Sequence, residues 1–158
     1  MTEKSYLLKI EEHKGIIVKV VNLYADDFED RKDLYQEIVL QSWSAYERFQ
    51  GNSKFSTWLY KISLNVALTF LSKRKKTDSA KLNSTGELYT EHKELSDRAD
   101  FLYRAIKKLT EIDRSIIMLH LDGYSNIEIC DLIGLTQTNV NVKLHRIKQQ
   151  LTNLLNQK

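Results

Sequence analysis

The sequence predicts an all-α protein built of two small helical domains, and three observations point there. No proline and only five glycines interrupt the 158 residues, where average composition would place about eight prolines. Apolar residues recur mainly at three- and four-residue spacing, the period of a helix face. No Asn-Gly or Asp-Gly pair lies between two alternating runs, as a tight hairpin would require. With 42% hydrophobic residues, a chain of this length holds one ordinary core or two small ones and is too short for a large enzyme.

The first domain is expected over residues 1–76, with helices from Ser5 to Lys76 broken at Ala25-Asp26-Asp27 and at Gln50-Gly51-Asn52-Ser53. In the helix beginning near Phe28, Leu34, Ile38, Ala45 and Phe49 share one side and form a core stripe. The opposite half carries Asp33, Gln36, Glu37, Leu40, Trp43, Ser44 and Glu47. A large aromatic and a leucine among carboxylates fit a docking surface; Trp43 packed against the first helix fits equally well, and periodicity alone leaves both open. The helix from Phe55 to about Lys76 is apolar along Phe55, Trp58, Ile62, Val66 and Thr69 and again along Tyr60, Leu64, Ala67, Leu68 and Leu71. Asn65 borders the first of these stripes, where its amide is expected to be hydrogen-bonded, with Lys61 one turn earlier. The terminal Ser72-Lys73-Arg74-Lys75-Lys76 suits single-stranded nucleic acid beside aromatic rings, and also suits the dipole of a helix end.

Residues 77–98 change character. Thr, Asp, Ser, Asn, Gly and Glu are common and apolar positions such as Leu82, Leu88 and Leu95 are scattered, the composition of a flexible linker. Helical spacing resumes in the second domain, 99–158, with Phe101, Leu102, Ala105, Ile106 and Leu109. Thr110 with Asp113 is expected to cap the helix holding Ile116, Ile117 and Leu119.

Asp122-Gly123 closes that helix, and Ser125 three residues before Glu128 makes a capping box for the next. Ile129, Leu132 and Ile133 give the short helix an apolar face, with Cys130 as a small neighbour. Gly134-Leu135-Thr136 then turns the chain, and Thr136 caps a last helix whose Val140, Leu144, Ile147 and Leu151 form one narrow stripe. Its other face carries Thr138, Val142, His145, Arg146 and Gln149, flanked by Asn139, Asn141 and Lys143, and no acidic residue follows Asp131. Such a face suits a major groove: Arg and Lys reach phosphate or guanine, Asn and Gln read adenine, and Val142 meets a thymine methyl. The plainer alternative is a solvated face of an ordinary bundle. The capped helix, small residue, glycine turn and acid-free second helix occurring together favour a helix-turn-helix.

The net charge of +3 says little about partners; its distribution says more. Acids crowd at Asp26, Asp27, Glu29, Asp30 and Asp33, and bases at Lys73 to Lys76. A lone cysteine, Cys130, excludes a disulfide framework or a Cys-rich zinc site within one chain and fits a reducing cytosol. No leader-like start and no apolar run near eighteen residues are seen, so a cytoplasmic protein without membrane insertion is expected.

The set Asp33-Leu34-Tyr35-Gln36-Glu37-Ile38, Phe55-Ser56-Thr57-Trp58-Leu59-Tyr60-Lys61-Ile62 with Asn65, and the C-terminal helix-turn-helix resembles the extracytoplasmic-function group of sigma factors, over nearly the whole chain from Tyr6 to Leu155. The resemblance implies regions 2 and 4 joined by a flexible linker. It implies that Asp33, Gln36, Glu37, Leu40 and Trp43 dock on the clamp helices of the largest subunit of bacterial RNA polymerase, which tips the Trp43 question toward docking. It also implies that the loop from Phe49 to Lys54, with Ser53, and the helix bearing Trp58, Lys61 and Asn65 capture a flipped base of the −10 element. Thr138, Asn139, Asn141, Val142, Lys143, His145 and Arg146 would read the −35 element. The chain departs from the family pattern in three ways: Thr110 stands where proline is common, Val142 and Lys143 replace the usual Ser and Arg, and Lys61 replaces a frequent Arg. Promoter preference is affected most, since lysine lacks the planar bidentate contact of arginine.

The expected role is a transcription initiation factor with core polymerase, promoter DNA and an anti-sigma factor as partners, and no catalysis, cofactor, metal or small-molecule substrate. Two rivals are set against it. A dimeric helix-turn-helix regulator would bind operators without polymerase. A metal-dependent hydrolase would need its ligands from His13, His92, His120 and His145, which lack the helical i, i+4 pairing, and neither a phosphate loop nor a nucleophile elbow is present.

Overall fold

A computed structural model describes residues 3–77 and 97–156, and the chain divides into two compact units, Met1–Thr90 and Glu91–Lys158. The described residues form seven α-helices and no strand. The linker expected over 77–98 falls largely outside the described residues. At its edges Thr77 ends a helix and Asp97 and Arg98 begin one, with Asp97 and Asp100 in a first turn where acids favour the dipole.

The first unit is a three-helix bundle of α1 (Glu3–Tyr24), α2 (Phe28–Tyr46) and α3 (Phe55–Thr77), each packed on the other two. The break after α1 is closed by Asp27, whose Oδ1 accepts from the Asp30 amide at 2.8 Å, and by Arg31, whose Nε donates to the Ala25 carbonyl. Before α3 the chain turns at Gly51, with φ at 76°, a left-handed value glycine adopts without a Cβ clash.

The core is made by Ile17, Val20 and Val21 of α1, Leu34 and Ile38 of α2, and Leu59, Leu64 and Ala67 of α3. On α2 the buried line runs Leu34, Ile38, Ser42, Tyr46, whereas Ala45 and Phe49 are only half-buried. The expected stripe is therefore corrected in its second half. Strict four-residue steps continue through Ser42, which burial tolerates because its hydroxyl is hydrogen-bonded. On α3 both expected stripes turn inward at Phe55, Val66, Tyr60, Leu64 and Ala67, while Thr69 is exposed. Asn65 is exposed too, one turn from exposed Lys61, so water can satisfy its amide and no protein partner is required of it.

The second unit packs α4 (Asp97–Lys107), α5 (Glu111–Leu121) and α6 (Asn126–Ile133) against α7 (Gln137–Leu155). Its caps stand where the sequence places them. Thr110 Oγ1 accepts from the Asp113 amide, and Ser125 and Glu128 form both halves of a capping box. Gly123, at φ 96°, donates to the His120 carbonyl while Tyr124 donates to Leu119, the pair of bonds of a Schellman turn. Gly134, at φ 84°, ends α6, and Thr136 Oγ1 accepts from Asn139 to start α7. Val140, Leu144, Ile147 and Leu151 are all buried.

His120, in the last turn of α5, has its imidazole pulled below the ordinary 6.5, first by burial and then by Lys148. A depressed folded value contributes stability above pH 6.5 that is lost as pH falls through it. The His120 ring resonance should therefore titrate below 6.5 by NMR. Lys148→Ala should raise the midpoint without bringing it to that value, because burial is the larger cause.

Candidate nucleic-acid and protein interfaces

Burying one stripe of each helix leaves three surfaces, two on the first unit and one on the second. The outward face of α2 shows Asp33 and Gln36 exposed, Glu37 half-buried, Leu40 58% exposed and Trp43 40% exposed. Glu37 Oε2 accepts from Gln41 at 2.8 Å. With Tyr6 and Leu7 of α1, the residues Gln36, Val39, Leu40 and Trp43 line an open, largely apolar groove of about 500 Å³. Asp33 is exposed on the same helix face, and Glu3 of α1 also borders the groove.

Tyr6 builds this groove from below. Its hydroxyl donates to the Val39 carbonyl at 3.0 Å and shares a hydrogen bond with Ser42 Oγ at 2.7 Å. Burial is the main reason its phenol lies above the ordinary 10.0. The same ring sits 4.9 Å from the Trp43 indole. Of the two readings the periodicity left open, packing on α1 is seen, with one side of Trp43 against Tyr6, and the residue is also 40% exposed. Tyr6, Leu7 and Val39 were missed from sequence because their meeting is a contact between helices, which no single-helix pattern displays.

The second surface surrounds the start of α3. Phe49 and Trp58 have ring centroids 4.9 Å apart, Phe55 lies 5.3 Å from Trp58, and Tyr46 stacks on Phe49 at 6.2 Å. Phe49 and Trp58 are half-buried, whereas Ser53, Lys54, Lys61 and Asn65 are exposed. The structure thus gathers Phe49 and Trp58 into one aromatic cluster, with Ser53 and Lys54 in the turn before it and Lys61 and Asn65 further along α3. From α1, His13 approaches Phe55 at 5.2 Å and the Lys9 ammonium lies 5.6 Å from its centroid, neighbours that the sequence did not reveal.

At the basic end of α3 one cation is engaged within the first unit. Arg74 pairs with Asp30 of α2 at 2.6 Å, so this guanidinium ties α3 to α2. Asp30 nevertheless sits above the ordinary carboxyl value: burial and the nearby Asp27 outweigh the arginine. The half-exposed pair therefore serves position more than stability.

The third surface is the outward side of α7. Thr138, Asn139, Asn141, His145 and Arg146 are exposed, Val142 is 56% exposed, and Lys143 is half-buried. Six of the seven candidates are exposed, and Lys143 lies at the edge of the packed side. Asn126 of α6, unremarked in the sequence, donates from Nδ2 to Asn141 Oδ1 at 2.6 Å.

Residues 10–77 match the family model of sigma-70 region 2, and residues 102–151 match that of sigma-70 region 4. The extracytoplasmic-function sigma factor SigG of Mycobacterium tuberculosis is 30% identical over 152 aligned residues, which cover 77% of this chain and 41% of SigG. This chain thus spans about two fifths of that relative's length. The extracytoplasmic-function sigma-E factor of Escherichia coli K12 is 25% identical over 170 aligned residues, covering 96% of this chain and 86% of its own length. Among solved structures, the sigma factor RpoE of Bartonella quintana, in complex with the anti-sigma factor NepR, superposes with a TM-score of 0.78 at 18% identity, covering 97% of this chain and 98% of its own. CnrH, in complex with the cytosolic domain of CnrY, gives 0.70 at 18% identity, covering 99% and 91%. At such identity these two likenesses are of fold.

Removing the hydroxyl that joins α1 to α2 tests how the groove is held. Tyr6→Phe should cost about 1 kcal/mol in chemical denaturation and leave Trp43 emission nearly unchanged. Tyr6→Ala, which takes the ring from beneath the indole, should shift Trp43 emission to longer wavelength.

Proposed function

Because this chain belongs to the extracytoplasmic-function group of the sigma-70 family, whose members are transcription initiation factors, we propose that it directs bacterial RNA polymerase core enzyme to specific promoters and carries no catalysis of its own. The observation that supports this most is the presence in one chain of three different surfaces. An acid-bordered apolar groove, an aromatic cluster with nearby cations and an acid-free helix-turn-helix face suit a protein partner, separated strands and intact duplex respectively.

The groove on α2 is the docking face for the clamp helices of the largest polymerase subunit. Leu40 and Trp43 supply apolar anchors, and Asp33, Gln36 and Glu37 supply polar and charged contacts around them. A large half-exposed ring beside exposed carboxylates suits an amphipathic helical partner of basic character.

Phe49, Ser53, Lys54, Trp58, Lys61 and Asn65 capture the opened −10 strand. Bases taken out of the stack gain from aromatic faces, about 1–3 kcal/mol each, and expose edges for hydrogen bonds from Asn65 and Lys61. Thr138, Asn139, Asn141, Val142, Lys143, His145 and Arg146 read the −35 element, with α7 in the major groove. Partnership with an anti-sigma factor and a cytoplasmic site of action complete the reading, with residues 1–76, 77–98 and 99–158 as region 2, linker and region 4.

Transcription in vitro from candidate promoters, with purified core polymerase and with or without the protein, tests the reading. Promoter-specific initiation dependent on the protein is expected. Operator binding by a dimer without polymerase would establish the rival regulator instead. Asp33→Ala with Gln36→Ala should weaken binding to core while leaving the helical melting profile in place, and Trp43→Ala should cost about 2 kcal/mol of that binding. Unchanged affinity in all of these variants would reject the α2 docking face.

A further inference from the structure

Asn126 is the first residue of α6, directly after the Ser125 cap, and its Nδ2 donates to Oδ1 of Asn141 on α7 at 2.6 Å. Both partners spring from fixed turns. The reciprocal bonds between Ser125 and Glu128 hold the start of α6, and Thr136 holds the Asn139 amide at the start of α7. The bond therefore stitches the first helix of the helix-turn-helix to the exposed face of the second.

A primary amide has an acceptor end and a donor end, and the end that meets a base decides which base it favours. An asparagine free to turn takes adenine with both ends, accepting from N6 and donating to N7. Here the oxygen of Asn141 is turned toward α6 and spends one of its two lone pairs on Asn126, which fixes the plane of the amide and leaves the NH2 group as the end that this bond does not hold. In the major groove guanine offers two acceptors, O6 and N7. Adenine and thymine offer one each, and cytosine presents a donor. When duplex docks and water leaves, the stitch strengthens and the preset orientation persists.

We propose that Asn126 is a specificity-determining positioning residue: it orients the Asn141 amide to read an acceptor edge of the −35 element, guanine foremost, in place of adenine. The inference rests on α7 being the duplex-reading helix, and Asn126 acts through Asn141 without itself touching a base.

The test uses the full chain with core polymerase, selecting initiating promoters from a library randomised in the −35 element. Four proteins are compared: wild type, Asn141→Ala, Asn126→Ala and Asn126→Asp. Asn141→Ala should lose discrimination at one base pair, which locates the contact, and wild type should favour guanine there. Aspartate has only acceptors, so in Asn126→Asp the Asn141 amide must turn to donate, presenting its oxygen outward. Preference at that pair should move toward cytosine or adenine by about fivefold. Aspartate also suits the first turn of α6, so the fold should survive, and a shared melting profile checks this. Asn126→Ala should release the amide and bring guanine and adenine toward parity. Adenine preference in the wild type, an Asn141→Ala profile identical to wild type, or an unchanged base at that pair in both Asn126 variants would overturn the inference while leaving the duplex-reading role of α7 in place. A holoenzyme that selects no upstream element at all would overturn that role, and this inference with it.

Discussion

The burial of Leu34, Ile38, Ser42 and Tyr46 along α2, against α1 and α3, governs the rest of the first unit, because a helix cannot choose its two faces separately. Once four-residue steps carry this line inward, Asp33, Gln36, Leu40 and Trp43 must point away from it. Full burial of each leucine or isoleucine is favourable by about 1.5–3 kcal/mol, enough to keep an aromatic ring and carboxylates on the outside as a consequence. The same logic holds for α7, where Val140, Leu144, Ile147 and Leu151 face inward and the polar side chains of Thr138, Asn141, His145 and Arg146 are left to solvent.

What was legible in the sequence is what depends on neighbours in the chain. Caps join residues three apart, so Thr110 with Asp113, Ser125 with Glu128 and Thr136 before α7 could be read directly, as could the glycines that end α5 and α6. The buried line of α7 was legible because all four members are apolar. On α2 the reading strayed at Ser42, since a pattern sought by hydrophobicity passes over a hydroxyl and resumes at Ala45. The serine is buried because a tyrosine 36 residues earlier reaches its Oγ, and separation of that kind carries no periodic signal. At Asn65 the expectation was a hydrogen-bonded amide, and its exposed position one turn from Lys61 on the outer side of α3 leaves that amide open to water.

The candidate sites were less legible than the fold for a related reason. Patterning can nominate the outward residues of one helix, and it nominated Leu40, Trp43 and Val142, which are exposed. It could not show that Tyr6 and Leu7 close the groove beside Trp43, that His13 and Lys9 approach Phe55, or that Arg74 is drawn to Asp30. Each joins elements whose approach is set by packing. At Arg74 in particular, a basic run read along one helix does not display the acid of the helix packed beside it.

Two of the bonds that escaped sequence reading sit where a buried stripe meets an exposed face. Tyr6 with Val39 and Ser42 lies under the α2 groove, and Asn126 with Asn141 lies beside the exposed face of α7. The Asn126–Asn141 bond is exposed, so water competes for both partners and its contribution to stability is modest, whereas the Tyr6–Ser42 bond is buried. Both bonds restrict rotamers of groups beside or within the surfaces proposed for recognition, and freedom removed on folding is not lost again on binding. If the α7 face reads duplex, the exposed Asn126–Asn141 bond weighs more in recognition than in folding. A surface made of long, mobile side chains would have to order all of them at contact, whereas one whose anchors are already held at the seam orders only the remainder. If two such surfaces act from one chain, each can be weak alone, because binding through the first raises the effective concentration of the second.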